Sequence, residues 1–343
     1  MKRSSLTFLL VSAFLLSATP PAFAEAPATA QSVATRSAAT RSVTTRSATT
    51  QATRPFLWHI TTANGASAGA LVGSVHLATD EFYPLADIFY TTFDNADVLA
   101  VEVDVTKIDQ ARMQQMVMTA GLYPPPDALS KHVSKETLDA LKTYGKLPPA
   151  LTEKMKPWLL ATLITMQEIQ ALGFDPKLGI DHHFLTKAEE AGKKVVELET
   201  AQAQFDLLSG FDAEMQEKFL ADALRDLPDL HGKMDLITIA WKRGDGAMLQ
   251  KELIDKTIER DPASKPVMEK LFDERNLAMA GKIDAMIKAG GKPFVVVGAG
   301  HLVGEKGLVT LLTEKGYKLE QAGSSAATTK PATRESRTPA LVP

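Results

Sequence analysis

The sequence predicts a mixed α/β fold in which two strand–loop–helix–strand units flank a large helical insertion and share one mixed β-sheet. Three observations predict it. Apolar strand patterns fall at both ends of the central part of the chain, within residues 56–105 and 294–320. Residues 107–290 between them have mostly helical spacing. A single β-branched segment, Lys194 to Glu199, interrupts these helices.

The two ends of the chain are predicted to lie outside this fold. Residues 1–24 have the basic start, short apolar run and small-residue cleavage site, after Ala24, of a secretory signal. Residues 25–54 repeat Thr-Arg-Ser, and residues 321–343 are rich in Ser, Thr, Ala and Pro, so neither composition supports a core. We expect an exported protein, periplasmic or secreted, with one domain over residues 55–320 and no integral membrane segment after signal removal.

Charge and cysteine content exclude several classes of protein. The signal, linker and tail carry +2, +3 and +2, so the net charge of −3 leaves −10 for the predicted domain. A nucleic-acid-binding protein would need a basic face, so we expect no nucleic-acid partner. The chain has no cysteine, which excludes disulfides, thiolate nucleophiles and Cys-ligated metals.

The first unit begins with a predicted hairpin. Residues 56–62 alternate, Asn64-Gly65 is a turn signal, and residues 70–75 form an apolar strand. A helix over 84–95 and a strand over 97–105 follow. This strand–helix–strand order predicts a parallel pair with a right-handed crossover.

The helical insertion and the second unit follow in order. Predicted helices lie at 107–120, 134–144, 157–172, 179–191, 211–225, 229–243 and 263–289. The second unit consists of a strand over 294–297, a helix over 304–315 and a final strand over 317–320.

Two histidines occur in equivalent local contexts. Gly73 begins GSVH and Gly298 begins GAGH, so His76 and His301 each follow a buried strand by a glycine and two small or apolar residues. Ligands of α/β sheets bind at the carboxyl ends of strands, and glycine allows close backbone approach there. A lone histidine is more often structural, but the recurrence favours a functional role for both.

Glu102 and Asp104 lie in AVEVDV, where the valines share one face of a strand and the acids the other. A carboxylate inside a parallel strand is costly unless it reaches the strand end or is paired. We expect Asp104 to cap the strand end and Glu102 to meet His76. If Glu102 has no counter-charge, its replacement by glutamine should be tolerated in the metal-free protein. If Glu102 is instead half of an ion pair with Arg275, the replacement should destabilise the protein with or without metal.

Two histidines and one glutamate leave two chemistries open. They can ligate a divalent ion such as Zn, Mn or Co. They can also work without metal, with a histidine as general base and the carboxylate orienting it. No HExxH helix occurs, which excludes an ordinary zincin.

Other polar motifs carry weaker signals. Residues 65–69 fit G-x-S-x-G, but they lie in a predicted hairpin turn and lack the strand–serine–helix order of a nucleophile elbow. In Asp181-His182-His183, adjacent helical residues point apart, so only Asp181 is a candidate. On spacing alone, Arg275 is best explained as a surface charge.

Several longer motifs occur in one order: LVGSVHLA, LAVEVDV, GIDHHFLTKAEEAGKKVVELET followed by Gln204, WKRGD, DERNLAMAGKI and VVVGAGHLVGEKGLVTLLTEKGY. Together they cover essentially residues 55–320. In this respect the chain resembles the TraB/GumN family, the bacterial relatives of the Tiki metalloproteases.

The resemblance implies a fold related to the erythromycin-esterase and ChaN-like group, built as two related halves. It also implies that the paired G-x-x-H motifs form the site, with Arg275 holding an anion or a carbonyl oxygen. The site residues carried over are Gly73, His76, Glu102, Arg275, Gly298 and His301, with Asp181, Glu199, Glu274 and Asn276 as supporting residues.

The expected function is that of an exported, metal-dependent hydrolase. It would cleave the peptide bonds of a peptide or small polypeptide. The alternative is a non-catalytic periplasmic protein that binds or sequesters a peptide or a metal. A purely structural protein does not explain acids and histidines at strand ends.

Overall fold

The computed structural model describes residues 54–323, so the predictions for residues 1–53 and 324–343 lie outside the described part of the chain. Within it, six strands form one mixed sheet in the order β4-β3-β5-β2-β1-β6. The strands are β1 (Leu57–Thr61), β2 (Ser67–Ser74), β3 (Val98–Val101), β4 (Lys194–Glu197), β5 (Pro293–Gly298) and β6 (Lys318–Gln321). The predicted mixed sheet is confirmed. The tail predicted to begin at residue 321 begins too early, because Gln321 belongs to β6 and Ala322 is buried.

Five of these strands run in one direction. β5 pairs in parallel with β2 and with β3, and β3 pairs in parallel with β4. β1 runs the opposite way, antiparallel to both β2 and β6. The predicted hairpin is therefore present, and the carboxyl ends of β2, β3 and β5 share one edge of the sheet.

The predicted parallel pair of the first unit needs a correction. β2 and β3 are parallel, but they are not neighbours, because β5 lies between them. The local strand–helix–strand order fixes strand direction only. The central position is taken by the strand that is buried along its whole length, β5, whose six residues are all inaccessible.

Helices surround the sheet. They are α1 (Asp87–Asp94), α2 (Gln110–Met116), α3 (Lys135–Tyr144), α4 (Pro149–Thr152), α5 (Pro157–Ala171), α6 (Ile180–Glu190), α7 (Ala201–Ser209), α8 (Ala213–Asp226), α9 (Leu230–Arg243), α10 (Gly246–Gln250), α11 (Lys256–Arg260), α12 (Lys265–Met268), α13 (Glu274–Lys288) and α14 (Leu308–Glu314). Three π-helical segments, Val117–Gly121, Lys251–Asp255 and Glu269–Asp273, connect some of them.

Most predicted helices are present, with differences that have local causes. The segment predicted as one helix over 263–289 comprises α12, a π-helical turn and α13. The sequence patterns do not predict α4, α7 or the short helices of residues 246–260. α7 begins where the Thr200 side chain accepts a hydrogen bond from the Ala203 backbone N–H, an N-cap that was not recognised.

The strands predicted to contain acidic residues are shorter than expected. β3 ends at Val101 and β4 at Glu197, so Glu102 and Glu199 follow their strands. A buried carboxylate is thereby brought to the strand end, where side chains of other elements can pair with it. Asp104 caps the next turn, as predicted, by accepting a hydrogen bond from the Thr106 backbone N–H at 3.1 Å.

Aromatic packing anchors β5 under the helices. The ring of Phe294 lies 5.5 Å from that of Phe93 on α1 and 4.8 Å from that of Phe184 on α6. Burial of such rings is among the largest apolar contributions to a core. Within residues 54–323, no helix has the length and apolar character needed to cross a bilayer.

Candidate functional site

Three strand ends bring the predicted residues together. In the parallel register, Ser74 of β2 pairs with Gly298 of β5, and the next strand, β3, ends level with Val296. His76 lies two residues beyond β2, His301 three residues beyond β5, and Glu102 directly after β3. Because these ends meet at one edge of the sheet, the side chains converge where ligands of α/β sheets bind.

The two imidazoles face one oxygen of Glu102. The Nε2 atom of His76 lies 3.8 Å from Glu102 Oε1, and the Nε2 atom of His301 lies 3.7 Å from it. Glu102 and His301 are buried, whereas the side chain of His76 is 15% exposed. The cluster is therefore reached from its His76 side.

The outer nitrogen of His301 is held by Asn276. His301 Nδ1 lies 2.6 Å from Asn276 Oδ1, while Asn276 Nδ2 donates to the carbonyl oxygen of Lys306 at 2.9 Å. Because the side-chain nitrogen of Asn276 already donates to a carbonyl oxygen, its side-chain oxygen faces His301 and accepts the Nδ1–H of that ring. This leaves the lone pair of His301 Nε2 facing Glu102.

His76 is held in the same way by Asp181 of α6. His76 Nδ1 lies 3.2 Å from Asp181 Oδ1, and the same oxygen accepts a hydrogen bond from the Ser74 hydroxyl at 2.6 Å. The Ser74 hydroxyl in turn accepts the Asp181 backbone N–H at 3.1 Å. Both histidines therefore present Nε2 to the site, with an acceptor behind each ring, which is the usual support of a metal-binding histidine.

The second oxygen of Glu102 belongs to a buried ion-pair network. Glu102 Oε2 accepts hydrogen bonds from Arg275 Nη2 at 2.7 Å and from Gln204 Nε2 at 3.1 Å. Arg275 also donates to both oxygens of Glu199, at 2.8 and 2.6 Å, and to the carbonyl oxygen of Leu271. Glu102 Oε1 accepts the backbone N–H of Gly298 at 2.7 Å.

The surface location that spacing alone suggests for Arg275 is wrong, since the residue is 8% exposed. Its position agrees with the resemblance, which assigns it to the site. Its hydrogen bonds run to carboxylates, however, and it does not line the cavity described below. The oxyanion-holding role of Arg275 remains a prediction, and it would require the guanidinium to leave one of these carboxylates.

Burial and charge shift the pKa values of the three central groups. Burial alone would lower the pKa of His76, but the adjacent Asp181, together with Glu102, raises it above its ordinary value. Burial, reinforced by Arg275, lowers the pKa of His301 to about 4. Burial opposes ionisation of Glu102, but His301, Arg275 and His76 outweigh it and lower the pKa of Glu102 to about 2.

The two glycines of the G-x-x-H motifs are required sterically. A Cβ atom at Gly298 would lie 3.0 Å from His76 Nε2, 3.3 Å from Glu102 Oε1 and 3.5 Å from His301 Cδ2, at the point on which the three groups converge. At Gly73 it would lie 2.4 Å from the ring of Phe56. Gly298 thus keeps the site open, and Gly73 allows the core to close beneath it.

The donors are of the kind that bind a divalent ion, but as they stand they are spaced too widely to hold one. A tetrahedral ion with bonds of about 2.1 Å holds its ligands roughly 3.4 Å apart, a few tenths of an ångström less than the spacings found here. Within the described residues, no group of three or more His, Asp or Glu side chains is already drawn together tightly enough to hold a metal. His76, His301 and Glu102 would therefore close slightly around an ion.

Above these groups lies a partly open cavity. Its floor consists of the strand-end residues, and its walls come from the segment after β2 and from the helical insertion. The apolar side chains of its walls are Leu77, Phe82, Phe174, Met234, Ile237, Leu249, Leu253 and Phe272.

Some sequence candidates lie elsewhere, and some contacts were missed. Glu274 is exposed to solvent. His183 lies among aromatic rings, 5.1 Å from that of Tyr83, in agreement with its reading as incidental. Ser74 and Gln204 were assigned no role. Their only local signal is a polar residue in an otherwise apolar strand or helix face.

The chain belongs to the TraB/PrgY/gumN family, whose model matches residues 56–321. Two relatives share 29% identity with it, both described as an uncharacterized protein YbaP. The protein from Shigella flexneri matches over 256 residues, 73% of this chain and 90% of its own length. That from Escherichia coli (strain K12) matches over 247 residues, 71% of this chain and 86% of its own length. No solved structure matches the chain significantly.

Proposed function

We propose that this member of the TraB/PrgY/gumN family is an exported, metal-dependent hydrolase that cleaves peptide bonds. The observation that carries the proposal is the convergence of His76 Nε2 and His301 Nε2 on Glu102 Oε1, each within 3.8 Å. Acceptors behind both rings keep the two Nε2 lone pairs directed at the same point. The proposal of export depends on the signal-like composition of residues 1–24.

In this proposal His76 and His301 hold a divalent ion, and Glu102 is a further ligand or the base. Such an ion, when bound, polarises the scissile carbonyl and lowers the pKa of water. Asp181 and Asn276 fix the orientation of the rings. Hydrolysis joins the water oxygen to the carbonyl carbon, breaks the C–N bond and transfers a proton to the leaving nitrogen. Where Glu102 acts as the base and not as a ligand, its Oε1 takes that proton from water and passes it to the leaving nitrogen.

A metal-free arrangement is supported by a different contact. His76 is the most exposed of the three groups, and its Nδ1 lies 3.2 Å from the Asp181 carboxylate. An aspartate behind a histidine orients it as a general base and stabilises the imidazolium that forms. In this arrangement His76 Nε2 takes the proton from water and returns it to the leaving nitrogen.

Metal analysis of the purified protein, followed by cleavage of a peptide library with and without chelator, tests the proposal. We expect about one ion per chain, and cleavage that chelator abolishes and Mn²⁺, Co²⁺ or Zn²⁺ restores. His301→Gln should lose both metal and cleavage. The matched control is His231→Ala, which changes an exposed histidine outside the site.

The other outcomes separate the alternatives. Bound metal without cleavage of any peptide would favour the metal- or peptide-binding protein. Cleavage that survives complete metal removal would favour His76 as a metal-free base. A protein that neither binds metal nor cleaves any peptide would overturn the proposed hydrolase.

A further inference from the structure

The walls of the cavity are apolar, although its floor is polar. Phe82, Met234, Ile237, Leu253 and Phe272 line it on several sides. Among the residues that line it in the described part of the chain, the ionisable ones are those of the floor, His76, Glu102 and His301. The polar side chains Ser74 and Thr238 complete the set.

We propose that this wall is a specificity pocket for an uncharged, apolar side chain of the size of leucine, methionine or phenylalanine, carried by a peptide whose main chain lies over the His76–Glu102–His301 floor. The inference rests on the proposed function, since it names the substrate class of the same site. It assigns selectivity to the helical insertion and chemistry to the strand ends.

Charge excludes the other side-chain classes. An acidic side chain would meet the Glu102 carboxylate of the floor, and the nearest guanidinium, that of Arg275, already binds Glu102 and Glu199. A basic side chain would have to replace the divalent ion proposed for the floor, or displace the hydrogen bonds that Glu102 accepts from Arg275, Gln204 and the Gly298 N–H. Burial of an unpaired charge is costly, whereas burial of an apolar side chain is favourable.

The wall residues are part of the buried core and come from several elements. Met234 and Ile237 lie one turn apart on α9 and face the cavity, whereas Ile239 on the same helix is 38% exposed. Leu253 and Phe272 come from the two π-helical segments that precede α11 and α13. Phe82 packs 5.2 Å from the ring of Trp241, whose Nε1–H donates to the carbonyl oxygen of Gly73 at 2.6 Å.

Trp241 therefore links the wall to the first G-x-x-H motif and provides a spectroscopic signal. Phe82, which lines the pocket, also contacts Trp241. Trp241 fluorescence should respond to ligand binding, and Trp58→Phe with Trp158→Phe would leave it as the single tryptophan of the described residues.

The test measures binding separately from cleavage. Short capped peptides that differ at one position, with Leu, Met, Phe, Ser, Lys or Asp, are titrated into the full-length protein with and without chelator. We expect Kd values at least about 10-fold lower for Leu, Met and Phe than for Ser, Lys and Asp. The cleavage library should show the same preference next to the scissile bond.

Wall variants locate the preference. Ile237→Lys should abolish the preference for apolar side chains, and Ile239→Lys, the matched control on the same helix, should keep it. If Ile237→Lys does not fold, Ile237→Ala should weaken binding of the Leu peptide about 5-fold and that of the Ser peptide little.

The outcomes distinguish this inference from the proposed function. Apolar preference in binding without any cleavage would sustain the pocket and remove the hydrolase. Cleavage without preference among side chains, or a preference unchanged in Ile237→Lys, would refute the pocket and leave the hydrolase standing.

Discussion

Replacement of Glu102 by glutamine separates its role at the histidines from its role in the ion-pair network. Glu102 Oε1 faces the two imidazoles and accepts the Gly298 N–H, while Oε2 accepts from Arg275 and Gln204. A glutamine has only one acceptor oxygen. Its NH₂ group must therefore face N–H donors, either that of Gly298 or those of Arg275 and Gln204. Arg275 is not left unpaired, because it keeps both bonds to Glu199.

The size of the effect follows from these contacts. Removal of one partner from a buried pair costs about 3–5 kcal/mol when it leaves the other charge uncompensated. Here Glu199 still compensates Arg275, so the loss is that of one charge-assisted hydrogen bond, about 2 kcal/mol. For a domain of this size that lowers Tm by about 3–4 °C. Because Arg275 does pair with Glu102, we expect Glu102→Gln to be moderately destabilised. It should not be tolerated in the way expected for a Glu102 without a counter-charge.

Thermal unfolding in chelator and in metal, together with peptide cleavage, provides the assay. An ion at 100 times its Kd stabilises the wild type by about 2.7 kcal/mol. Glu102→Gln should gain less if Glu102 is a ligand, or should bind the ion without cleavage if it is the base. Glu199→Gln is the matched control: it disturbs the same guanidinium but should keep both metal gain and cleavage.

One result would refute this reasoning. If Glu102→Gln and Glu199→Gln lose the same stability in chelator, gain the same stability in metal and cleave peptides equally, Glu102 belongs to the scaffold. The two histidines would then lack an anionic ligand among the residues proposed here.

Three further predictions test the site and its frame. Gly298→Ala should fold but bind metal at least about 10-fold more weakly, because its methyl group would occupy the space between the histidines and the carboxylate. Normal metal binding, measured by calorimetry, would show that the ion binds elsewhere. Asp181→Asn should raise the Kd for metal by about 10–100-fold while the far-UV circular dichroism stays unchanged, and an unaltered Kd would remove Asp181 from the site. Removal of residues 25–53 and 324–343 should leave Tm unchanged. A deletion that also removes Gln321 should lower Tm, because this residue belongs to β6 and donates to the carbonyl oxygens of two loops. A large loss of Tm from the first deletion would show that one of these ends docks on the domain.

The local patterns were sufficient to predict that these strands exist and that the two histidines converge. The strand–glycine–histidine contexts are local, and parallel strands necessarily place their carboxyl ends at one edge. The position of β5 between β2 and β3 was not predictable in this way, since nothing in either segment records which strands become neighbours. The same limit applies to the cavity wall, where Met234 and Phe272 resemble ordinary core residues until the fold places them above the histidines.

Arg275 shows the corresponding limit for charged residues. Its helical spacing predicts a surface position, yet the residue is buried because Glu199, 76 positions earlier, and Glu102, 173 positions earlier, compensate its charge. Only the resemblance carried by the surrounding motif indicated a role for it. Partners so distant in the sequence leave no periodic signal, whereas a family motif preserves the residue type together with its context.

The charge of the assembled site gives an independent reason to expect a divalent ion. The charged groups that act on the two histidines are the carboxylates of Glu102, Asp181 and Glu199 and the guanidinium of Arg275. With neutral imidazoles, three negative charges and one positive charge leave −2 in a largely buried volume. Such an excess is costly in a medium of low polarity unless a cation compensates it. One protonated imidazole would cancel half of it, whereas a single divalent ion between the Nε2 atoms and Glu102 Oε1 would cancel all of it. A neutral peptide bound without an ion would leave the excess in place, so the charge balance favours metal binding over metal-free sequestration of a peptide.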